Sequence, residues 1–236
     1  MHTIITQLRT DLANSADEKT RAGYTRFFRE AVVYYGVKSP QVKAIARKYW
    51  RQINALEKAQ AYALFEAMLA ADYCEEAFLV AEWLPRMKDR FARVDLAVFA
   101  GWIDRYLNNW AKIDSFCNHA VADFLEKFPE SIDEILRWRT SENRWMKRAS
   151  AVTLILPARR GGYLREAFTI ADTLLRDPDD MVQKGYGWLL KEASRQHQRE
   201  VFEYVMQHKA VMPRTALRYA IELMPAEMRA EAMKKG

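Results

Sequence analysis

Asp114 follows Trp110 by four residues in the segment Asn109-Trp110-Ala111-Lys112-Ile113-Asp114, so on a helix both side chains leave the same face. Two further segments carry groups of matching character. Asn143-Arg144-Trp145-Met146-Lys147-Arg148-Ala149 holds two arginines four residues apart, and Gln183-Lys184-Gly185-Tyr186-Gly187-Trp188-Leu189-Leu190-Lys191 places Lys184, Trp188 and Lys191 on one helical stripe. Guanidinium offers two parallel hydrogen bonds to a phosphate, which lysine cannot reproduce. A carboxylate between indoles stabilises a cation that forms beside it. Together such groups suit gripping an anionic backbone while steadying positive charge next to it.

Each residue alone has an ordinary reading. Asp114 fits a helix-surface acid or an N-cap, and Trp110 fits a core position, as do Trp50, Trp83, Trp102, Trp138 and Trp145. Arg144, Arg148, Arg159, Arg160 and Arg165 fit a solvated basic face or pairs with local acids such as Glu142. Gly185 and Gly187 cost a helix interior roughly 1 kcal/mol each relative to Ala. Their closeness predicts a tight approach, by a ligand or by another helix. Arg214 and Arg218 form one more basic pair four residues apart, behind Pro213.

The elements that must position these groups read as helices. Leu64, Phe65, Met68 and Leu69 recur at spacings of three and four, as do Leu96, Phe99, Trp102 and Ile103. Pro40, Pro85, Pro129, Gly161-Gly162, Pro178, Pro213 and Pro225 fall between such stretches. Ser15-Ala16-Asp17-Glu18 resembles a capping-box helix start, and Asp177-Pro178-Asp179-Asp180 reads as a stop followed by an N-cap. Roughly a dozen helices with short connections result. They recur in pairs, with breaks about every 35–45 residues, the period of helix-pair solenoids. The expected fold is all-α, a curved solenoid of stacked antiparallel helix pairs forming a single HEAT-like-repeat domain over residues 1–236. An irregular helical bundle is the alternative.

Composition sets the bounds. With 236 residues, half of them hydrophobic, a large core is available, while 8 Gly and 7 Pro are few for a turn-rich all-β fold. The 37 basic residues exceed the 31 acidic ones by six, which favours a polyanionic partner modestly. Cys74 and Cys117 make neither a disulfide framework nor a metal site, and read as buried reduced thiols of a reducing cytoplasm. The first residues lack the basic-then-apolar pattern of a secretion signal, and no apolar run nears the ~20 residues of a membrane span. His2, His119, His197 and His208 are scattered, away from zinc-ligand spacing. No phosphate-cradling loop, dinucleotide fingerprint or paired Ser or Cys nucleophile stands out. Neither cofactor nor metal is expected.

Taken in order, these segments resemble the AlkD-type DNA alkylation repair glycosylases, built from HEAT-like repeats. Arg26-Phe27-Phe28 followed by Tyr34-Tyr35-Gly36-Val37-Lys38-Ser39-Pro40 is similar to that family's N-terminal helix and Gly-hydrophobic-x-Ser/Thr-Pro turn. Trp110 through Ser115 is similar to its Trp-x-x-x-Asp-Ser segment. Trp145 through Ala149 and Gln183 through Trp188 are similar to its Trp/hydrophobic-x-x-Arg-Ala and Gln-Lys-x-x-Gly-Trp segments. Phe27 stands where an aromatic hydroxyl occurs in some relatives, and Lys38 where an amide does.

The resemblance implies a monofunctional glycosylase of base excision repair that removes N3- or N7-alkylated purines from duplex DNA. It implies Asp114 as the acid, Trp110 and Trp188 as lesion-site indoles and Arg148 as the phosphate grip. With the basic positions above, the expected DNA contacts are Arg148, Arg144, Lys184, Lys191, Lys38, Lys43, Arg214 and Arg218. A monomer working on cytoplasmic, nucleoid DNA is expected, away from membranes. The alternatives from other classes are a non-catalytic nucleic-acid-binding solenoid and a protein-interaction scaffold.

Overall fold

The computed structural model describes residues 2–28 and 31–234. The side chains of His2, Thr25, Arg26 and Phe27 lie outside the described set, and with them the Arg26 and Phe27 part of the N-terminal segment quoted above. Among the described residues, regular structure is helical, and strand-like pairing is limited to one bridge between Val33 and Tyr73. The fold is all-α and solenoid-like, as the periodicity predicts. The helices divide into two compact units, residues 1–124 and 125–236.

The first unit contains α1 (His2–Asn14), α2 (Glu18–Phe27), α3 (Ser39–Asn54), α4 (Lys58–Ala70), α5 (Cys74–Trp83), α6 (Asp95–Tyr106) and α7 (Trp110–Phe116), and α8 (Ala122–Lys127) begins at its end. Alternate helices pack side by side, α3 on α5 and α5 on α7, with α4 touching both α5 and α6. The i, i+3, i+4 apolar positions supply the core. Val42, Ile45, Ala46, Tyr49 and Ile53 are buried on α3, and Leu96, Phe99, Trp102 and Ile103 on α6. Trp83 is fully buried and donates its indole N–H to the carbonyl of Ala46, 2.9 Å away, tying α5 to α3.

The second unit contains α9 (Ile132–Arg137), α10 (Arg144–Thr153), α11 (Ile155–Arg159), α12 (Leu164–Leu174), α13 (Asp180–Ala193), α14 (Gln198–His208), α15 (Arg214–Ala220) and α16 (Ala226–Met233). It repeats the scheme: α10 packs on α13 and α13 on α15, while α12 lies against α10 and α13.

A helix does start at the Ser15–Glu18 segment, but its N-cap is Asp17 rather than the Ser15 of a capping box: the Asp17 carboxylate accepts from the Thr20 N–H at 2.7 Å. Asp179 caps α13, accepting from Met181 and Val182. Pro213 and Pro225 occupy the N-cap positions of α15 and α16. The break between α10 and α11 at Leu154 has its cause three residues on. Pro157 lacks an N–H, and its ring takes the space of the carbonyl four positions back, that of Thr153, where α10 ends. Both cysteines are buried and unpaired with each other. Burial pushes the Cys74 thiol up to about 11. No helix among the described residues is long and apolar enough to cross a membrane.

Candidate functional site

α7 owes its start to Asn109. This residue is extended (φ −149°, ψ 160°), and its side-chain oxygen accepts from the Lys112 N–H at 3.1 Å. Trp110 is thereby the first helical residue and Asp114 lies one turn later on the same face. Both are half-buried, whereas Lys112, Ile113 and Phe116 are buried on the other side. The Trp110 ring packs against Phe28 with centroids 5.4 Å apart, tilted 31°.

Lys112 is a buried cation with three acceptors. Its ammonium donates to the Asp72 carbonyl at 2.7 Å, the Asp72 carboxylate at 2.6 Å and the Asn108 side chain at 3.1 Å. Asp72 sits at φ 68°, a left-handed conformation that Asp tolerates better than most residues. This link fixes the entry of α7 to the turn that precedes α5. After Phe116 the backbone passes into a π-type turn, Cys117–Val121. A cavity of ≈ 210 Å³ opens beside it, lined in part by Ser39, Lys43, Phe78, Glu82, Ser115 and His119. Ser115, the neighbour of Asp114, thus borders a concave space holding one ammonium, one carboxylate and one imidazole.

The segment leading into α3 is held by two buried acids that motif reading did not single out. Glu75 and Glu76 are wholly buried in the first turn of α5. The Glu75 carboxylate accepts from the backbone N–H groups of Tyr35 (3.0 Å), Gly36 (2.8 Å) and Val37 (3.0 Å). Glu76 accepts from the Arg9 guanidinium at 2.9 and 3.0 Å and from the Tyr35 hydroxyl at 2.8 Å. Gly36 has φ 92°, and a Cβ there would meet that of Arg21 at 2.9 Å, so the Gly-Val-Lys-Ser-Pro turn requires its glycine. Lys38 lies 3.7 Å from Asp17, and Lys43 3.7 Å from Glu82.

In the second unit, Arg144 opens α10. Its Nε lies 2.8 Å from the Asp179 carboxylate and its guanidinium 4.6 Å above the Trp145 ring. Its acid partner is therefore Asp179 rather than the neighbouring Glu142. Arg148 is 5 % exposed, and its Nη1 donates to the Met181 carbonyl, tying α10 to the first turn of α13. Lys184 pairs with Asp180 at 2.8 Å and Lys191 with Glu222 at 2.6 Å. Trp188 is half-buried and donates its indole N–H to Glu192 at 3.4 Å. Arg214 and Arg218 are exposed on α15, and Arg214 reaches the Met233 carbonyl at 3.4 Å.

The glycines of α13 are explained by helix packing. A Cβ on Gly187 would meet the Ala216 carbonyl oxygen at 2.8 Å and Tyr219 Cβ at 2.9 Å; one on Gly185 would meet Arg148 Cγ at 3.3 Å. Of the two approaches the sequence allows, a neighbouring helix is the one present.

Trp110, Asp114, Lys38 and Lys43 thus belong to the first unit, and Arg144, Arg148, Lys184, Trp188, Lys191, Arg214 and Arg218 to the second. No group of His, Cys, Asp and Glu among the described residues has the arrangement of a metal site.

The chain is thus all-α, with an acid and an indole on α7, two arginines on α10 and a further indole on α13. The family model described as DNA alkylation repair enzyme matches residues 8–224, and the chain belongs to that family, which places it in alkylation repair. Among solved structures, one described as a predicted DNA alkylation repair enzyme from Enterococcus faecalis superposes with a TM-score of 0.81 at 14% identity, covering 90% of this chain and 98% of that one. At that identity the likeness speaks for the fold. No curated protein matches the chain.

Proposed function

We propose that the protein is a monofunctional DNA glycosylase that releases N3- and N7-alkylated purines from duplex DNA by hydrolysis. Such a base already carries positive charge and leaves without prior protonation. As the N-glycosidic bond stretches, positive charge moves to the deoxyribose in an oxocarbenium-like transition state. A fixed carboxylate near C1′ stabilises that state more than the ground state. Asp114 takes this role and orients the attacking water. The indole faces of Trp110 and Trp188 add cation–π attraction on the order of 0.5–2 kcal/mol each. Arg148 holds a phosphate beside the lesion, and Arg144, Lys184, Lys191, Lys38, Lys43, Arg214 and Arg218 contribute backbone contacts. The protein acts as a single-domain monomer in the cytoplasm.

The observation that carries this reading is the pairing of Trp110 and Asp114 one turn apart on a helix whose entry is fixed by Asn109 and Lys112. The test is release of free 7-methylguanine or 3-methyladenine from alkylated duplex DNA. Asp114→Asn should lower release by orders of magnitude while duplex binding stays near wild type. Undiminished release would remove Asp114 from the mechanism. Covalent trapping by borohydride would contradict hydrolysis without a lysine nucleophile.

A second reading, a non-catalytic DNA-binding scaffold, draws on the burial of Arg148 and its bond to a backbone carbonyl. Both readings predict salt-sensitive DNA binding. Only the first predicts free base.

A further inference from the structure

Beyond the residues named so far, Glu192 gathers two arginines around one buried carboxylate. Its side chain is 3 % exposed, and Oε2 accepts from Arg159 Nε at 2.8 Å and from Arg195 Nε at 2.6 Å. Its other oxygen accepts from the Trp188 indole. Arg159 closes α11, and Arg195 lies just past the end of α13, so the cluster stays within the second unit. The Arg159 and Arg195 side chains are 46 % and 43 % exposed. Neutralising Glu192 needs one guanidinium; the second leaves the triad with a net positive charge.

The way the arginines are held matters more than the charge. A guanidinium has five donors in a rigid fork. Each of these two is fixed through Nε, and among the described residues neither has a second carboxylate or carbonyl acceptor for its Nη groups. The outward edges of two forks are thus ordered before any ligand arrives, which lowers the entropy lost on binding. Bidentate N–H pairs of this kind match the oxygens of a phosphate.

Their register relates them to Trp188. Lys184, Trp188, Lys191 and Arg195 follow one another at intervals of four, three and four residues, and the Arg195 N–H still bonds back to Glu192, so the helical path continues to it. The stripe that presents Trp188 therefore ends in the paired guanidiniums.

We propose that Arg159 and Arg195 form a phosphodiester-binding site for DNA, assembled on Glu192 at the end of the Trp188 stripe. The proposal rests on the reading above insofar as that stripe is taken to face the duplex. Its test does not require base excision.

The experiment is binding of the full chain to an undamaged DNA duplex, followed by fluorescence anisotropy across a series of salt concentrations. Arg159→Gln and Arg195→Gln each leave Glu192 one partner, so both should melt near wild type. Each is expected to weaken binding several-fold and to lower the slope of log K against log salt by about 0.9, the share of one phosphate contact. Arg159→Lys and Arg195→Lys should recover most of the slope but not all of the affinity. Arg199, 86 % exposed and paired with Glu203, serves as a geometric control, and Arg199→Gln should leave the slope unchanged. Wild-type slopes in both glutamine variants, or an equal drop in Arg199→Gln, would overturn the site. Altered slopes with no base release by the wild-type protein would leave the site standing and sink the glycosylase reading instead.

Discussion

The Lys112 ammonium lies 2.6 Å from the Asp72 carboxylate, with the lysine side chain 1 % exposed and the aspartate 41 %. The pair is therefore asymmetric: water can reach the acid if the base is removed. Lys112→Met keeps the buried stem but forfeits three hydrogen bonds. It should destabilise the protein by about 2–3 kcal/mol, below the cost of orphaning a wholly buried charge. Asp72→Asn, which retains tolerance of the left-handed backbone, should cost less. Urea denaturation measures both, and a wild-type midpoint for Lys112→Met would refute the latch.

Three backbone N–H groups converge on Glu75. In Glu75→Gln one acceptor becomes a donor facing the Tyr35 N–H or the pair from Gly36 and Val37, at a cost of about 1–3 kcal/mol. Hydrogen exchange at Tyr35, Gly36 and Val37 should accelerate in this variant while amides of α13 keep their protection. Uniform acceleration would assign Glu75 a global role instead.

Two glycine substitutions should have opposite signs. Gly187→Ala drives a methyl into the Ala216 backbone, which cannot swing aside, and should cost at least about 1–3 kcal/mol. Gly23, in the interior of α2, has nothing within 4 Å of the point where an alanine methyl would stand, so Gly23→Ala should stabilise by about 0.5–1 kcal/mol. Thermal melts of the two variants on either side of wild type are the expected result.

The Glu192 carboxyl titrates below the usual carboxylate range. Burial pushes it upward, but Arg159 and Arg195 together outweigh that and hold it down. A depressed folded-state value means that its contribution to stability is present above the unfolded value near 4.5 and fades as pH falls through the folded one. Glu192→Gln should thus be less stable than wild type at pH 7, and the gap should narrow steadily below pH 4.5. A gap that stays constant into acid would remove the ion pairs as its source.

Much of this could be read from the chain itself. The buried faces of α4 and α6, the cap at Asp179 and the prolines ahead of α15 and α16 are local signals, and local rules read them. The α10–α11 break escaped because Pro157 sits in an otherwise apolar run with no polar cap to mark it. Glu75, Glu76, Lys112 and Glu192 escaped for a different reason. Each has a decisive partner 30 or more residues away, as with Lys112 and Asp72 or Glu192 and Arg159, and no spacing along the chain links the two. Gly185 and Gly187 announced a close approach, but only the position of Ala216 says what approaches.

The pairing of Lys38, Lys43, Arg144, Lys184 and Lys191 with Asp17, Glu82, Asp179, Asp180 and Glu222 has a consequence for encounter with a polyanion. A cation beside an acid acts at a distance as a dipole, whose field decays faster than that of a lone charge. Those five pairs cancel within the formal excess of six positive charges, so long-range steering rests on the cations outside them and the paired ones act only at contact. Discrimination then falls to the stage after first touch, when carboxylates must be displaced one by one and only a strand in the right place recovers what those exchanges cost.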